Sequence, residues 1–211
     1  MRNRPTLRLY WPSRRRTLAA FATLGTLLLP LRSRAATLAT PALTEGPYYP
    51  ERFADQPTRS LVLGPQQGVQ RLQLSGRVVR TDGPTVPGAR IEIWQCDALG
   101  HYHHSRDSRP EERDPGFAGY GWALADAQGA YLFDTIRPVP YPGRTPHIHL
   151  AVVVGGRRQL VTQIFIAGDP GNAGDFLYRR MSAVARERVT MPVTPTGHGT
   201  LAGHFEVVLT A

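Results

Sequence analysis

The chain has 211 residues, 41% of them hydrophobic, which is enough to bury the continuous core of one ordinary domain. Its formal net charge of +9 is concentrated at the N-terminus, because eight of the 25 basic residues precede Ala36 and the first acidic residue is Glu45. From residue 36 onward, 17 arginines face 16 acidic residues, which leaves a net charge of +1. This near-neutral body lacks the basic excess that nucleic-acid binding requires.

The first 35 residues have the layout of an export signal. A basic region is followed by an apolar stretch over 18–31 and by small residues at 35–36. The apolar stretch is shorter than the roughly 20 residues of a membrane span, so membrane contact is expected only through a signal that is left uncleaved. Residues 13–18, Ser-Arg-Arg-Arg-Thr-Leu, resemble a twin-arginine signal. We therefore predict a signal peptide over 1–35, a single domain over 36–211 and a periplasmic or otherwise exported location.

After residue 45 the sequence is dominated by short segments in which apolar and polar residues alternate, split by glycine and proline turns. This period of two is typical of half-buried strands in a sandwich or a barrel. We predict an all-β fold, a β-sandwich of about seven or more mostly antiparallel strands with long loops and one short helix. The strands are expected near residues 71–78, 89–93, 121–125, 130–136, 147–154, 159–166 and 205–209.

The helix and the loops are predicted from the remaining segments. Asp175 is suited to cap a short helix that runs through Phe176 and Leu177 to Met181. Three stretches have no regular pattern, and loops carried on a rigid sandwich are where sites are usually built. These stretches cover residues 37–69, 98–119 and 189–203.

Two histidines two residues apart give the strongest local signal. His147 and His149 lie in a predicted strand, where residues two apart point to the same face. Ile148, Leu150 and Val152 occupy the opposite face, which is suited to the core. Each neutral imidazole offers one nitrogen to a transition metal, so the pair is a good chelate. Two hydrogen-bonded structural histidines are the alternative, and no carboxylate follows at the position that a cupin-type metal site needs.

Four segments carry motifs that are specific in combination. The first is Thr-Glu-Gly-Pro-Tyr-Tyr at 44–49, and the second is Gly-His-Tyr-His-His at 100–104, which follows the apolar segment 91–97. The third runs over 137–149 and ends in the histidine pair, and the fourth is Leu-Val-Thr-Gln at 160–163. In this order they resemble the intradiol ring-cleavage dioxygenase family, which includes protocatechuate 3,4-dioxygenases and catechol 1,2-dioxygenases.

The resemblance implies a ferric iron, Fe(III), held by two tyrosinates and two histidines. By position in the motifs, Tyr102 would be the tyrosinate that stays bound and Tyr141 the one that the substrate displaces. His147 and His149 would complete the set. Phenolate oxygens are hard anionic donors that stabilise Fe(III). The implied reaction uses O2 to open a small aromatic diol of the catechol class between its two hydroxyl-bearing carbons, which gives a cis,cis-muconate.

The resemblance also implies residues around the substrate. Arg144 matches the family's active-site arginine and would stabilise negative charge on the ring, while Gln163 is expected near the substrate or the iron. The alternatives are a surface arginine that closes a turn and an amide with a structural hydrogen bond. Tyr48 and Tyr49 are expected to line the pocket mouth. Gly143 stands where many relatives have a tryptophan, so the pocket wall is expected to be more open there.

Other functions stay open at the level of sequence. His101, His103 or His104 could replace a tyrosine as a ligand, in a copper or Fe(II) site with the histidine pair. The fold could instead be a non-catalytic exported binding module, since a fold alone does not fix function. A homo-oligomer is compatible with the resemblance. Its size is not implied, because the long helical N-terminal region of catechol 1,2-dioxygenases has no counterpart in this sequence.

Overall fold

A computed structural model of the protein describes residues 38–66 and 68–211. The predicted signal peptide lies outside the described residues and stays a prediction. No helix within the described ranges is long and apolar enough to cross a membrane.

Nine strands in the described part of the chain form two sheets, with a common hydrophobic core between them. They are β1 (Arg71–Arg80), β2 (Arg90–Trp94), β3 (Tyr120–Leu124), β4 (Ala130–Ile136), β5 (His147–Val154), β6 (Arg157–Ile166), β7 (Thr190–Met191), β8 (Val193–Pro195) and β9 (Thr200–Leu209).

The two sheets differ in size and order. The four-stranded sheet has the order β4-β1-β9-β8, and the five-stranded sheet has the order β3-β2-β5-β6-β7. Neighbouring strands are antiparallel, except for the parallel pairs β1 with β9 and β6 with β7. The predicted β-sandwich of mostly antiparallel strands is therefore confirmed.

The core is built from alternate residues of the strands, as the period of two predicts. Leu72 and Leu74 of β1 belong to the same fully buried cluster as Ile91 of β2 and Ile148 of β5. Burying one such side chain is worth about 1.5–3 kcal/mol relative to leaving it exposed. The residues between them point away from the core, so the outer face of the five-stranded sheet is free to carry a site.

Two long loops lie where the sequence predicted them. The loop over 38–66 contains no strand, and it is joined to the sandwich by isolated β-bridges and by backbone hydrogen bonds such as that from Leu43 to Val161. The loop between β2 and β3 contains a single 3-10 turn at Pro110–Glu112.

The predicted irregular stretch 189–203 is wrong in part. It contains β7 and β8, and β9 begins at Thr200 and not at Phe205. The buried positions of β9 do alternate from Leu201 onward, but one of them is Gly203. A Cβ at Gly203 would lie 2.7 Å from the end of the Met191 side chain, so a larger residue would require that side chain to move. The missing side chain hides the alternation from the sequence.

Two short helices connect β6 to β7. The first, α1 (Phe176–Arg180), begins behind Asp175, whose side chain caps it as predicted. The second, α2 (Ala183–Val189), is capped by the hydroxyl of Ser182, which accepts the backbone N–H of Ala185. The sequence had no separate signal for this second helix.

Gly76 of β1 leaves room for the ring of Tyr131 to lie across this strand in the four-stranded sheet. In β1 it pairs with Tyr131 of β4 on one side and with Phe205 of β9 on the other. The Tyr131 hydroxyl reaches over Gly76 and donates to the carbonyl oxygen of Phe205 at 2.6 Å. A Cβ at Gly76 would lie 2.0 Å from that oxygen and 2.4 Å from the Tyr131 ring. The crossing therefore requires glycine.

Gly76→Ala is expected to lower the free energy of unfolding by about 1–3 kcal/mol or more, because the added methyl group overpacks a closed site. Urea unfolding followed by fluorescence measures this loss. Gly64→Ala is the control, since a Cβ there would meet its nearest neighbour at an ordinary 3.5 Å. Equal unfolding midpoints for the two variants would contradict the prediction.

Candidate metal centre

Four aromatic side chains converge on the outer face of the five-stranded sheet. His147 and His149 lie on β5, Tyr102 lies in the loop after β2, and Tyr141 lies in the loop before β5. The ring centroids are 4.8 Å apart for the two histidines and 5.4 Å apart for the two tyrosines. Tyr141 lies 5.6 Å from His147, and Tyr102 lies 6.1 Å from His149. The structure thus brings together all four residues that were predicted as metal ligands.

The hydrogen bonds of His147 fix which of its nitrogens carries the proton. Nδ1 lies 2.7 Å from the carbonyl oxygen of Thr145, which can only accept, so Nδ1 donates and the lone pair of Nε2 points into the site. Nε2 of His149 lies 3.1 Å from Nε2 of His147. Two neighbouring donors that bind one ion at about 2.1 Å each lie about 3 Å apart. The spacing therefore suits a shared metal ion.

Both imidazoles are kept neutral by their surroundings. Burial, together with the positive charge of Arg144, lowers the pKa of His147 to about 4. Burial and then the neighbouring His147 lower the pKa of His149 well below its usual value. A neutral imidazole keeps a lone pair for a metal. The pair is therefore ready to bind a cation at neutral pH.

Tyr102 ends in a buried hydroxyl that has no hydrogen-bond partner in the described part of the chain. Burial raises the pKa of this phenol well above its usual value, and a buried polar group without a partner costs about 1–3 kcal/mol. A cation bound beside Tyr102 would remove this cost, since bound cations deprotonate their ligands. The donor set of two phenols and two imidazoles fits Fe(III).

Two buried carboxylates hold the loop that carries Tyr102. Asp97 is fully buried and accepts hydrogen bonds from three backbone N–H groups, at 2.8 to 3.0 Å. Asp107 accepts the backbone N–H of Tyr102 at 2.8 Å and lies 3.1 Å from Nδ1 of His101. Two carboxylates that are not among the four predicted metal ligands therefore help to position the Tyr102 side chain.

The three loop histidines have other neighbours. His101 pairs with Asp107, and Nε2 of His103 lies 3.8 Å from Asp97. Nδ1 of His104 accepts a backbone N–H at 3.0 Å. No group of three His, Cys, Asp or Glu side chains within the described residues is placed to hold a metal. A site that adds a loop histidine to the histidine pair is therefore not supported, and the tyrosines are needed to complete the donor set.

The guanidinium of Arg144 lies close to two of the four rings, those of Tyr141 and His147. Its Nη1 lies 3.4 Å from Oη of Tyr141 and 3.5 Å from Nε2 of His147. Its Nη2 donates to Oε1 of Gln163 at 2.6 Å, and the amide nitrogen of Gln163 donates to the carbonyl oxygen of Thr44 at 2.9 Å. Burial raises the pKa of Tyr141, and the charge of Arg144 partly offsets this effect. Arg144 and Gln163 thus lie together at the centre.

A cavity of about 260 Å³ opens beside the two tyrosines. Tyr48 lines it together with Tyr102 and Tyr141. The ring of Tyr48 stacks on the ring of Tyr102, with centroids 4.4 Å apart. Two of the four predicted metal ligands, Tyr102 and Tyr141, therefore line this cavity, whereas His147 and His149 do not.

The other two residues that were predicted to line the pocket lie outside this cavity. The hydroxyl of Tyr49 donates to a carboxylate oxygen of Glu92 at 2.7 Å, and its ring packs against Trp94. Gly143 lines a separate cleft of about 480 Å³ beside Arg144, and the space around its α-carbon is open.

His149 is enclosed from two sides. The indole of Trp94 stacks on its ring, with centroids 4.9 Å apart and an angle of 10° between the planes. On another side, Gly46 has a φ of +73°, and a Cβ there would lie 3.3 Å from Cε1 of His149. The positive φ and the close approach both favour glycine. This explains the glycine in the first of the four sequence motifs.

Comparison with known proteins agrees with this geometry. The family described as Dioxygenase matches residues 44–210. The beta chain of protocatechuate 3,4-dioxygenase from Burkholderia cepacia is 36% identical, over 66% of this chain and 64% of that protein. The chain belongs to the intradiol dioxygenase family.

Other members of the intradiol dioxygenase family match a similar part of the chain. Hydroxyquinol 1,2-dioxygenase from Corynebacterium glutamicum is 32% identical, over 81% of this chain and 63% of that protein. The solved dioxygenase domain of a carbohydrate-binding fusion protein from Streptomyces sp. SirexAA-E is 32% identical, with a TM-score of 0.67, over 82% of this chain and 99% of that domain. The chain spans a little under two thirds of the length of the two curated relatives.

The candidate metal centre also involves residues that the sequence did not single out. They are Asp97 and Asp107 in the Tyr102 loop, Trp94 behind His149, and the carbonyl of Thr145. An acidic residue three positions after β2, at the end of the segment 91–97, was the one signal that could have identified Asp97. Trp94 and His149 are distant in sequence, and Thr145 contributes only its backbone carbonyl. Asp107 bonds within its own loop, where no regular pattern marks its partners.

Asp97→Asn is expected to lower the free energy of unfolding by about 1–3 kcal/mol at neutral pH, because one acceptor oxygen becomes a donor that faces backbone N–H groups. Burial alone would raise the pKa of Asp97, but the nearby His103 and the hydrogen bonds from the backbone outweigh it and lower the pKa. This stabilisation is fully present above the unfolded pKa of about 3.9 and is lost as the pH falls through the folded value.

Urea unfolding of the wild type and of Asp97→Asn at a series of pH values measures the difference. The difference should shrink only as the pH falls below about 4. Asp126→Asn is the control, because exposed Asp126 also accepts two backbone N–H groups, but in a turn remote from Tyr102. A wild-type advantage that stays constant down to strongly acidic pH would rule out this role for Asp97.

Proposed function

We propose that this chain is an Fe(III)-dependent intradiol dioxygenase that opens a catechol-type ring between its two hydroxyl-bearing carbons. The second substrate is O2, and the product is of the cis,cis-muconate type. The observation that carries the proposal is the convergence of two phenols and two neutral imidazoles, with the hydroxyl of Tyr102 buried and without a partner among the described residues. A non-catalytic binding module has no need of such a set of donors.

Tyr102, Tyr141, His147 and His149 would hold the iron. When bound, Fe(III) supplies a Lewis-acid centre that binds the catechol oxygens and makes the ring reactive toward O2. The anionic phenolates suit the ferric ion, whereas a site of two histidines and one carboxylate suits Fe(II). The proposal therefore depends on the tyrosines as much as on the histidines.

The two tyrosines differ in a way that supports different roles. Tyr102 is buried, and its loop is held by two carboxylates, which suits a ligand that stays in place. Tyr141 is partly exposed, and it lines the cavity on a loop between prolines. As a phenolate, Tyr141 would take up a proton from an incoming catechol hydroxyl at its Oη, which lies 3.4 Å from Nη1 of Arg144.

Arg144 acts on the charge of the substrate. A catechol that has given a proton to Tyr141 carries negative charge into a site with little water, where a fixed guanidinium stabilises it more strongly than solvent would. The side chain of Arg144 is 8% exposed and is tied to Gln163, so its charge is shielded and its position is set before the substrate arrives.

The substrate class is a single aromatic ring with two adjacent hydroxyls. A cavity of about 260 Å³ walled by Tyr48, Tyr102 and Tyr141 suits such a ring. The relatives from Burkholderia cepacia and Corynebacterium glutamicum are named for protocatechuate and hydroxyquinol, which are rings of this kind. We place the reaction outside the cytoplasm, because residues 1–35 have the layout of an export signal.

The full chain, purified and loaded with iron, is expected to be burgundy, because tyrosinate bound to Fe(III) absorbs visible light by charge transfer. Catechol, hydroxyquinol and protocatechuate form the substrate panel, with muconate-type products read by ultraviolet absorbance and O2 uptake. A protein that binds iron but stays colourless, and leaves all three rings intact, would overturn the proposal.

Tyr102→Phe is expected to remove much of the visible band and to lower turnover by at least about 100-fold, since it deletes an anionic ligand of the metal. The matched control is Tyr120→Phe, because the Tyr120 ring packs against Phe53 and does not line the cavity. Iron content, absorbance and turnover are measured for both variants. Unchanged colour and turnover in Tyr102→Phe would show that Tyr102 is not a ligand.

A further inference from the structure

Asp175 joins the start of α1 to the candidate metal centre. It is buried, and four N–H groups donate to its carboxylate. Oδ1 accepts the backbone N–H groups of Leu177 and Tyr178, both at 3.0 Å. Oδ2 accepts the Nε–H of Arg144 at 2.8 Å and the backbone N–H of Thr145 at 3.1 Å. Both oxygens therefore act only as acceptors.

A carboxylate at position 175 satisfies all four donors, and a neutral capping residue does not. An ionised Asp has two acceptor oxygens, whereas Asn has one acceptor and one donor group. Helix capping alone needs a single oxygen and is served about equally well by Asn or Ser. The second oxygen of Asp175 is thus not explained by the helix, and its partners are Arg144 and Thr145.

The ion pair of Asp175 with Arg144 is shielded from water. The exposed fraction of the side chain is 8% for Arg144 and 0% for Asp175. Burial alone would raise the pKa of Asp175, but hydrogen bonds from the backbone of Tyr178 and from Arg144 lower it, so the carboxylate stays ionised. A buried guanidinium without this counter-charge would be strongly destabilised.

The hydrogen bond from Nε of Arg144 to Asp175 also sets the direction of the guanidinium. The group is planar and rigid, so bonds at two of its nitrogens fix the third. Nε is bound to Asp175, and Nη2 is bound to Gln163 at 2.6 Å. Nη1 is thereby left facing Oη of Tyr141 at 3.4 Å and Nε2 of His147 at 3.5 Å.

We propose that Asp175 is the positioning residue of the centre and that it acts through Arg144. It holds the guanidinium in the plane that aims Nη1 at Tyr141 and at the charge that develops on the substrate. This inference rests on the proposed function, because Arg144 stabilises a substrate anion only in a centre that binds one. The same carboxylate caps α1, so it links the start of this helix to the centre.

The first test compares two variants that keep the helix cap but change the side of the carboxylate that serves Arg144. Asp175→Asn replaces one oxygen by a donor group, and Asp175→Ser keeps a capping oxygen but is too short to reach Arg144 as well. Both are expected to lower kcat/KM by about 10- to 100-fold. Most of the loss should appear in kcat, because Arg144 acts on charge that forms during the reaction. Thermal unfolding reports whether each variant is folded.

Asp169→Asn is the matched control. Asp169 caps the neighbouring 3-10 turn Pro170–Ala173, and its carboxylate pairs with Arg137 at 3.2 Å. It therefore combines a cap and an arginine partner as Asp175 does, but on an arginine that does not face the rings. Asp169 also accepts the hydroxyl of Thr145 at 3.4 Å, a group distinct from the Thr145 carbonyl that His147 uses. Its kcat/KM should stay within about twofold of the wild type. Equal losses in Asp169→Asn and Asp175→Asn would overturn the proposal.

A double-mutant cycle with Arg144→Met tests whether Asp175 acts through Arg144. If it does, adding Asp175→Asn to Arg144→Met should change kcat/KM by less than about twofold, because the positioned group is already gone. An Asp175→Asn loss of the same size in both backgrounds would overturn the proposal.

A crystal structure of the full-length Asp175→Ser variant separates this inference from the proposed function. The guanidinium of Arg144 is expected to leave Gln163 or Tyr141, whether or not the protein cleaves catechols. A guanidinium that keeps both contacts overturns the positioning role. A wild-type protein that cleaves none of the three rings overturns the proposed function, and the crystal structure then still decides the role of Asp175.

Discussion

The centre depends on the register of three neighbouring strands. Trp94 of β2 pairs with His149 of β5, and His149 pairs in turn with Gln163 of β6. Residues that pair across antiparallel strands have their side chains on the same face, so the indole, the imidazole and the amide stand in one row. A slip of one residue in β5 would turn the histidines inward and Ile148 and Leu150 outward. The hydrophobic core therefore fixes the geometry of the polar face.

Charge is balanced within the buried layer on that face. The guanidinium of Arg144 is the positive charge nearest the histidines, and it helps to keep His147 neutral. Its own charge is matched by Asp175, so the layer gains no net charge from the pair. In a medium of low dielectric an unmatched charge would be costly, and a matched pair is held firmly in place. The four rings are thus left as neutral donors to which a cation can be added.

The features that follow from the alternation of apolar and polar residues along a strand could be predicted from the sequence. These are the strands of the sandwich and the shared direction of the two histidines. In β9 the alternation is hidden at Gly203, which leaves room for the Met191 side chain. The first half of β9 was therefore not predicted. Tyr102 and Tyr141 followed only from resemblance, because no period marks a tyrosine as a ligand. The role of Asp97 was hidden for another reason, since its three partners are backbone groups that only the folded loop brings together.

The segment that covers His149, residues 43–46, is attached by backbone hydrogen bonds and by an ion pair between Glu45 and Arg158. The N–H of Leu43 donates to the carbonyl of Val161 at 2.9 Å, and the carbonyl of Thr44 accepts the amide of Gln163 at 2.9 Å. Gly46 then lies against the imidazole with no side chain of its own. Opening this segment requires the loss of a few hydrogen bonds, whereas exposing β5 requires the sandwich to come apart. We therefore expect the backbone amide of Leu43 to exchange its hydrogen through a local opening that also admits water to His149. The amides of β5 remain protected during this opening.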